Sequence, residues 1–249
     1  HPKAPYNENS KIFYTDEILH LVQNLEKQFG KVNEKRLTEA VNMAVSIHSQ
    51  INLLYEKRNL KKSTLTNKEF YSELRKAEFL APPDLLLHLK ELNERENKSY
   101  EPALSVVLSG ILPNPDTILQ ILDNNKVLVG DDDFFNCGGR YKLNYLAEKD
   151  PFKSLVNNYF RMVPCSTKGS PINERFEYLL SLMKNSDSKG IIFYTVKFCE
   201  PELFDIPILS EKLRKEGYPS LTLECEVNEQ FKGQMVTRTE AFLETINRS

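Results

Sequence analysis

Apolar residues recur at three- and four-residue spacing over the first part of the chain, then give way to short continuous apolar runs. Ile18, Leu21, Val22, Leu25 and Phe29 fall on one face of a helix, with Thr15-Asp16 as the expected cap and Gly30 as the stop. Asn33 is placed to cap a longer helix through Leu37, Val41, Ala44, Ile47, Ile51, Leu54 and Tyr55, with Lys57 and Arg58 in its last turns. Further helices are expected near Asn67 to Phe79 and from Pro83 through Leu92, before the polar run Asn93 to Ser99. After Pro102 the period changes. Leu104 to Gly110, Lys126 to Gly130, Gly190 to Phe198 and Leu221 to Val227 read as strands. Between and after them, Asp116–Leu122, Pro151–Phe160, Glu174–Lys184, Leu203–Lys215 and Gln234–Ile246 read as helices. This alternation predicts right-handed crossovers and a doubly wound α/β fold, a mostly parallel four-stranded sheet of Rossmann or flavodoxin-like type. The expected organisation is a helical layer over 1–100 followed by the α/β domain over 101–249.

In such a sheet the chemistry gathers beyond the carboxyl ends of the strands. The apolar run from Gly190 enters Lys197-Phe198-Cys199-Glu200-Pro201, so Cys199 is delivered to a crevice where a thiolate can bind a soft metal or an iron–sulfur cluster. A free cysteine is more commonly a small buried hydrophobe, the reading that suits Cys225 inside its strand. Cys165, after Val163-Pro164, and Cys137, in the acidic loop, fall between these cases. The second strand leads into Asp131-Asp132-Asp133, then Cys137, Gly138-Gly139 and Arg140. Three carboxylates can hold a hard cation, but such runs are more commonly solvated turns with a helix cap. The glycine pair lacks the spacing of a phosphate loop and fits a positive φ angle instead. His20, His48 and His88 lie on expected helices without metal-ligand spacing.

Charge narrows the field. The 33 basic and 35 acidic residues among 249 are interspersed, which argues against nucleic acid or a membrane surface as partner. The apolar runs are strand-length and no secretory pattern opens the chain, so the expected location is cytoplasmic, and the four widely spaced cysteines are expected as reduced thiols. The opening His1-Pro2-Lys3-Ala4-Pro5 reads as the middle of something longer.

Phe193-Tyr-x-x-Lys-Phe-Cys-Glu-Pro-x-x-Phe-Asp205, Gly217-Tyr-Pro-x-Leu-x-Leu-Glu224 and Gly233-Gln-x-x-Thr-Arg-x-Glu-Ala-Phe-Leu243 resemble the carboxyl-terminal part of the benzoyl-CoA reductase and 2-hydroxyacyl-CoA dehydratase subunits. Gly130-Asp-Asp, Arg140, Asp150-Pro151 and Pro164-Cys165 follow the same family in the same order. The resemblance implies an iron–sulfur subunit that pairs with a related second subunit or an identical copy, and an ATP-hydrolysing iron–sulfur activator that supplies an electron to reduce an acyl-CoA thioester to a ketyl-type radical. It makes Cys199 a ligand of a 4Fe–4S cluster whose two other cysteines belong to an amino-terminal domain absent from this chain. Lys197, Glu200 and Arg140 become candidate substrate-binding residues of the crevice, and no catalytic residue is named. The Asp-Asp-Asp-Phe loop and the Lys-Phe-Cys-Glu-Pro run lean toward benzoyl-CoA reductase. A 2-hydroxyacyl-CoA dehydratase subunit and a non-catalytic assembly subunit are the alternatives.

Overall fold

A computed structural model describes residues 2–95, 102–110, 116–226 and 233–248. The helices in front are α1 (Glu8–Phe29), α2 (Glu34–Asn59), α3 (Asn67–Leu74) and α4 (Pro82–Glu94). Then come β1 (Leu104–Gly110), α5 (Asp116–Asn124), β2 (Val127–Asp132), the single turn α6 (Gly138–Tyr141), α7 (Pro151–Phe160) and α8 (Ile172–Asn185). The chain closes with β3 (Gly190–Val196), α9 (Glu200–Lys215), β4 (Ser220–Cys225) and α10 (Gly233–Asn247). All three strand pairings are parallel and the spatial order is β2-β1-β3-β4. This is the doubly wound α/β sheet that the alternating pattern predicts.

Side chains alternate across the sheet and so divide the core. Val106, Leu108, Val129, Ile192 and Tyr194 face α2 to α5 and α10, while Val107, Ile191 and Phe193 face α8 and α9. Both faces are therefore covered, which is why β1 and β3 are apolar almost throughout. Helices α2 to α4 share one apolar core with the sheet. Asn67 locks them to its edge, donating from Nδ2 to Val127 O at 2.8 Å and accepting from Val129 N at 2.7 Å. None of the residues of α1 is buried, and it leans on α7 through ring contacts such as Tyr14 against Tyr159, 4.3 Å between centroids with the planes tilted by 30°.

Four boundaries differ from expectation. Helix α1 begins at Glu8 because Asn7 and Ser10 cap it reciprocally, whereas Thr15 lies mid-helix and its hydroxyl donates back to Lys11 O at 2.8 Å. Strand β2 continues through Asp131 and Asp132, so these two carboxylates are buried strand residues and not part of a solvated turn. Strand β3 stops at Val196, since Phe198 takes φ 65°. The long polar loop after β2 contains α6. The residues just after Gly110, Val227 at the end of the fourth expected strand, and the polar run from Glu96 to Ser99 lie outside the described residues. No helix among the described residues is long and apolar enough to cross a membrane.

Candidate functional site at the sheet reversal

From β1 the chain steps outward to β2 and then returns past β1 to β3, so the direction of winding reverses between β1 and β3. Helices diverge to opposite faces at such a point and leave a crevice beyond the strand ends. Gly110 closes β1 there, and a Cβ on it would stand 2.1 Å from Tyr194 O, so only glycine lets the two strands approach this closely.

Across the crevice, β3 leads into a tight turn. The amide of Cys199 donates to Val196 O at 3.1 Å, and Phe198 in the left-handed region carries an 88% exposed ring outward. Cys199 then becomes the N-cap of α9, its carbonyl accepting from Glu202 N at 3.1 Å and Leu203 N at 3.0 Å. The thiol is free and half-buried. Burial raises its pKa, with the negative groups Glu202 and Cys165 adding to the rise while the Glu202 amide and Arg175 oppose it.

Behind Cys199 lies a charged cluster drawn from three segments. Arg175 of α8 is 2% exposed and Glu202 of α9 is 3% exposed. The guanidinium reaches Asp205 Oδ2 through Nη1 at 2.6 Å and Glu202 Oε1 through Nη2 at 3.3 Å, and Ser166 Oγ donates to the same Glu202 oxygen. Arg175 Nε and Glu202 Oε2 are buried without a partner among the described residues. Both residues line a small cavity of about 10 Å³, together with Gly110, Asp133, Gly139 and Cys165 and with apolar side chains such as Phe135 and Met162. Lys168, whose ammonium donates to Val163 O at 2.7 Å, lines it as well, and burial lowers its pKa. Asp133 accepts from Gly110 N at 3.3 Å. Burial pushes its carboxyl up to about 7, against the pull of Arg175 and with the repulsion of Glu202.

The neighbouring acids are spoken for. Asp132 accepts from Tyr55 and Tyr71 hydroxyls, each at 2.7 Å, and from the amides of Gly138 at 2.8 Å and Phe134 at 3.1 Å. Asp131 holds Lys142 Nζ at 2.5 and 2.6 Å. Neither has oxygen to spare for a cation, and among the described residues no three His, Cys, Asp or Glu side chains gather in a way that could hold a metal ion. His48 is neutralised by burial and bonds Tyr141 O at 2.9 Å, His88 meets Glu73, and His20 lies exposed on α1.

The structure brings Lys197, Cys199 and Glu200 together at the end of β3. Lys197 Nζ bonds Glu226 Oε1 at 2.9 Å beside β4, and Glu200 is exposed in the first turn of α9. Arg140 lies elsewhere, its guanidinium 5.5 Å from the Tyr141 ring centroid on the side of His48, and it is Gly139 that reaches the cavity. Cys137 and Cys225 are buried, while Cys165 shares the crevice. Arg175 and Glu202 are the residues that sequence reasoning passes over, while Asp133 was weighed only as part of the acidic run. A signal was present for both: Arg175 falls in register with Leu179 and Leu182, and Glu202 with Ile206, Leu209 and Leu213, so each charge occupies an apolar face.

The family model for the D-component of 2-hydroxyglutaryl-CoA dehydratase matches residues 1–246. The chain belongs to this D-component family. Among curated proteins it is 27% identical over 158 residues to the (R)-phenyllactyl-CoA dehydratase beta subunit of Clostridium sporogenes, covering 64% of this chain and 42% of that one. The lactoyl-CoA dehydratase subunit beta of Anaerotignum propionicum is 26% identical over 142 residues, 57% of this chain and 38% of the relative. The (R)-2-hydroxyglutaryl-CoA dehydratase subunit beta of Acidaminococcus fermentans is 24% identical over 260 residues, 99% of this chain and 67% of the relative. The chain thus spans from under half to two thirds of the length of these relatives. The family resemblance read from the motifs is borne out, and within it these relatives are dehydratase subunits, which turns the lean toward benzoyl-CoA reductase back to the dehydratase branch.

Proposed function

We propose that this chain is part of the beta subunit of a two-component 2-hydroxyacyl-CoA dehydratase, a lyase that acts with a related second subunit and an ATP-hydrolysing activator. The observation that carries the reading is the half-buried Cys199 at the sheet reversal of a D-component chain. The described residues offer a 4Fe–4S cluster one edge of its ligand set: Cys199 is a free thiol on a rigid helix start, and two further thiolates would come from outside this chain. When bound, such a cluster would relay one low-potential electron toward the thioester of a 2-hydroxyacyl-CoA, whose hydroxyl is then lost.

The chain's own residues have defined work in this reading. Cys199 would hold the group, and the turn at Phe198 fixes where its Sγ emerges. Arg175 supplies buried positive charge behind that position, which favours added negative charge in a site of low dielectric. The exposed rings of Phe198 and Phe204 give the mouth an apolar surface that a covering subunit would make water-poor. Lys197 and Glu200 are offered as polar contacts for the substrate at the same mouth.

Iron analysis and electron paramagnetic resonance on the anaerobically prepared full-length complex test the reading. One cluster per beta subunit, lost in Cys199→Ala, is the expected result; a cluster-free complex, or a variant indistinguishable from wild type, would overturn it. Turnover of 2-hydroxyacyl against benzoyl thioesters with activator and ATP separates dehydratase from reductase.

A further inference from the structure

The cavity behind Cys199 carries the polar side chains of Asp133, Lys168, Arg175 and Glu202 beside the apolar Phe135 and Met162, and has room for about one water molecule. Two atoms of its lining residues demand one. Arg175 Nε is a buried donor and Glu202 Oε2 a buried acceptor, and leaving either unmet would cost on the order of 1–3 kcal/mol. A water between them satisfies both and keeps a lone pair and a proton for a third neighbour. Asp133 is on the same wall.

Asp133 has no ion pair of its own among the described residues, and its carboxylate accepts only from the Gly110 amide among the bonds given above. At the end of β2 just before it, Asp131 is neutralised by Lys142 and Asp132 is caged by Tyr55 and Tyr71. From α8 it faces Arg175, whose guanidinium is engaged by Asp205 and Glu202, and Tyr178, whose buried hydroxyl has no partner among the described residues. From α9 it faces Glu202, and from the segment before α8 the Lys168 ammonium and the Cys165 thiol. Arg175 therefore serves three carboxylates, and Asp133 is the one left to respond when the local charge changes.

We propose that the cavity is a built water site and that Asp133, on its wall with Arg175 and Glu202, takes up one proton from solvent when an electron reaches the Cys199 crevice. This rests on the function proposed above. The balance is simple: a low-potential one-electron donor adds one negative charge, the Asp133 carboxylate gains one proton to become the neutral acid, and the net charge of the site is unchanged. Cys199 itself gains and loses no proton in this step. The water would link the acid to Glu202 and Arg175, so that the new O–H has an acceptor.

Redox titration of the assembled, anaerobic complex across a series of pH values, followed by electron paramagnetic resonance, tests this. In wild type the midpoint potential is expected to fall as pH rises beyond about 7, where the oxidised site leaves Asp133 ionised, and to flatten on the acid side, where it is already protonated. Asp133→Asn should give a potential independent of pH over that range, and Asp133→Glu should restore the slope. A flat wild-type profile, or an unchanged slope in Asp133→Asn, overturns the inference while leaving the redox centre standing. A complex with no redox centre overturns both this inference and the function on which it rests. A high-resolution crystal structure should show one water within hydrogen-bond distance of Arg175 Nε and Glu202 Oε2; a dry cavity removes the link and the inference with it.

Discussion

Replacing Arg175 by methionine keeps the length and apolar stem of the side chain and removes the guanidinium from the Asp133–Glu202–Asp205 cluster. The loss is dominated by Glu202, which is as buried as Arg175 itself; Asp205 is partly exposed, so water screens its share. Breaking a buried pair by deleting one member costs about 3–5 kcal/mol, because the surviving charge stays desolvated. For a chain of this size that corresponds to a fall in melting temperature of roughly 6–20 °C. The sign with pH is a sharper test. Without the guanidinium the Asp133 carboxyl loses the charge that opposes its upward shift, so folding of the variant is penalised most where that group should be ionised. The stability gap to wild type should be widest at and above neutral pH and shrink on acidification as Asp133 protonates in the folded state. Urea unfolding followed by far-ultraviolet circular dichroism at several pH values measures the gap, and adding Glu202→Gln to Arg175→Met should recover part of it. A gap below about 1 kcal/mol at neutral pH, or one that does not change with pH, would refute the reasoning.

Asp133 makes its own contribution to the pH profile of wild type. Its folded pKa of about 7 lies above that of an unfolded aspartate, so the folded state holds the extra proton and stability falls as pH rises from about 4 through 7; melts of Asp133→Asn over that interval should lack this component. Tyr71→Phe leaves Asp132 one donor short and should cost about 1–3 kcal/mol in urea unfolding. Phe198→Gly relieves a left-handed non-glycine residue, partly offset by added freedom in the unfolded chain, and should raise stability by up to about 1 kcal/mol in the same assay. Alkylation of the native chain followed by peptide mass spectrometry should modify Cys199 and Cys165 well before Cys137 and Cys225, which become reactive only on unfolding.

The strands, the helices between them and the delivery of Cys199 to a sheet edge were legible because each depends on local period: apolar runs, three-to-four spacing, a strand ending in a turn. What was not legible depends on partners far along the chain. Two consecutive aspartates continue β2 only because Tyr55, Tyr71 and Lys142 meet them, and no local pattern around residue 131 announces those groups. The start of α1 turned on Asn7 and Ser10 satisfying each other, a pairing that outweighs the Thr15-Asp16 signal inside the same helix. Arg175 and Glu202 disturb the apolar faces of α8 and α9, which marks each as buried, yet their pairing bridges 27 residues and only the packing of the two helices reveals it. Arg140 shows the converse. Proximity in sequence to the acidic run made it a crevice candidate, while the turn of α6 carries its side chain to Tyr141.

The division of labour between Asp132 and Asp133 follows from strand geometry. Successive side chains on a strand point to opposite faces, so one carboxylate turns toward α2 and α3, where two tyrosine hydroxyls and two amides fix it, and the next turns toward α8 and α9, where Arg175 and Glu202 wait. Which aspartate goes where is set just upstream. The β1 pairing slips between Val106 and Val107, from Val129 to Asp131, and leaves Gly130 as the extra residue. A Cβ on Gly130 would come within 2.4 Å of Ser105 Oγ and 2.7 Å of Ser186 Cβ, so the bulge requires glycine. Without the bulge every later residue of β2 would exchange faces: Asp132 would lose its tyrosines and Asp133 would lose its place beside Arg175. A single backbone irregularity at Gly130, on a strand that does not lead to Cys199, thereby decides that the Asp133 carboxyl lies beside Arg175 and Glu202.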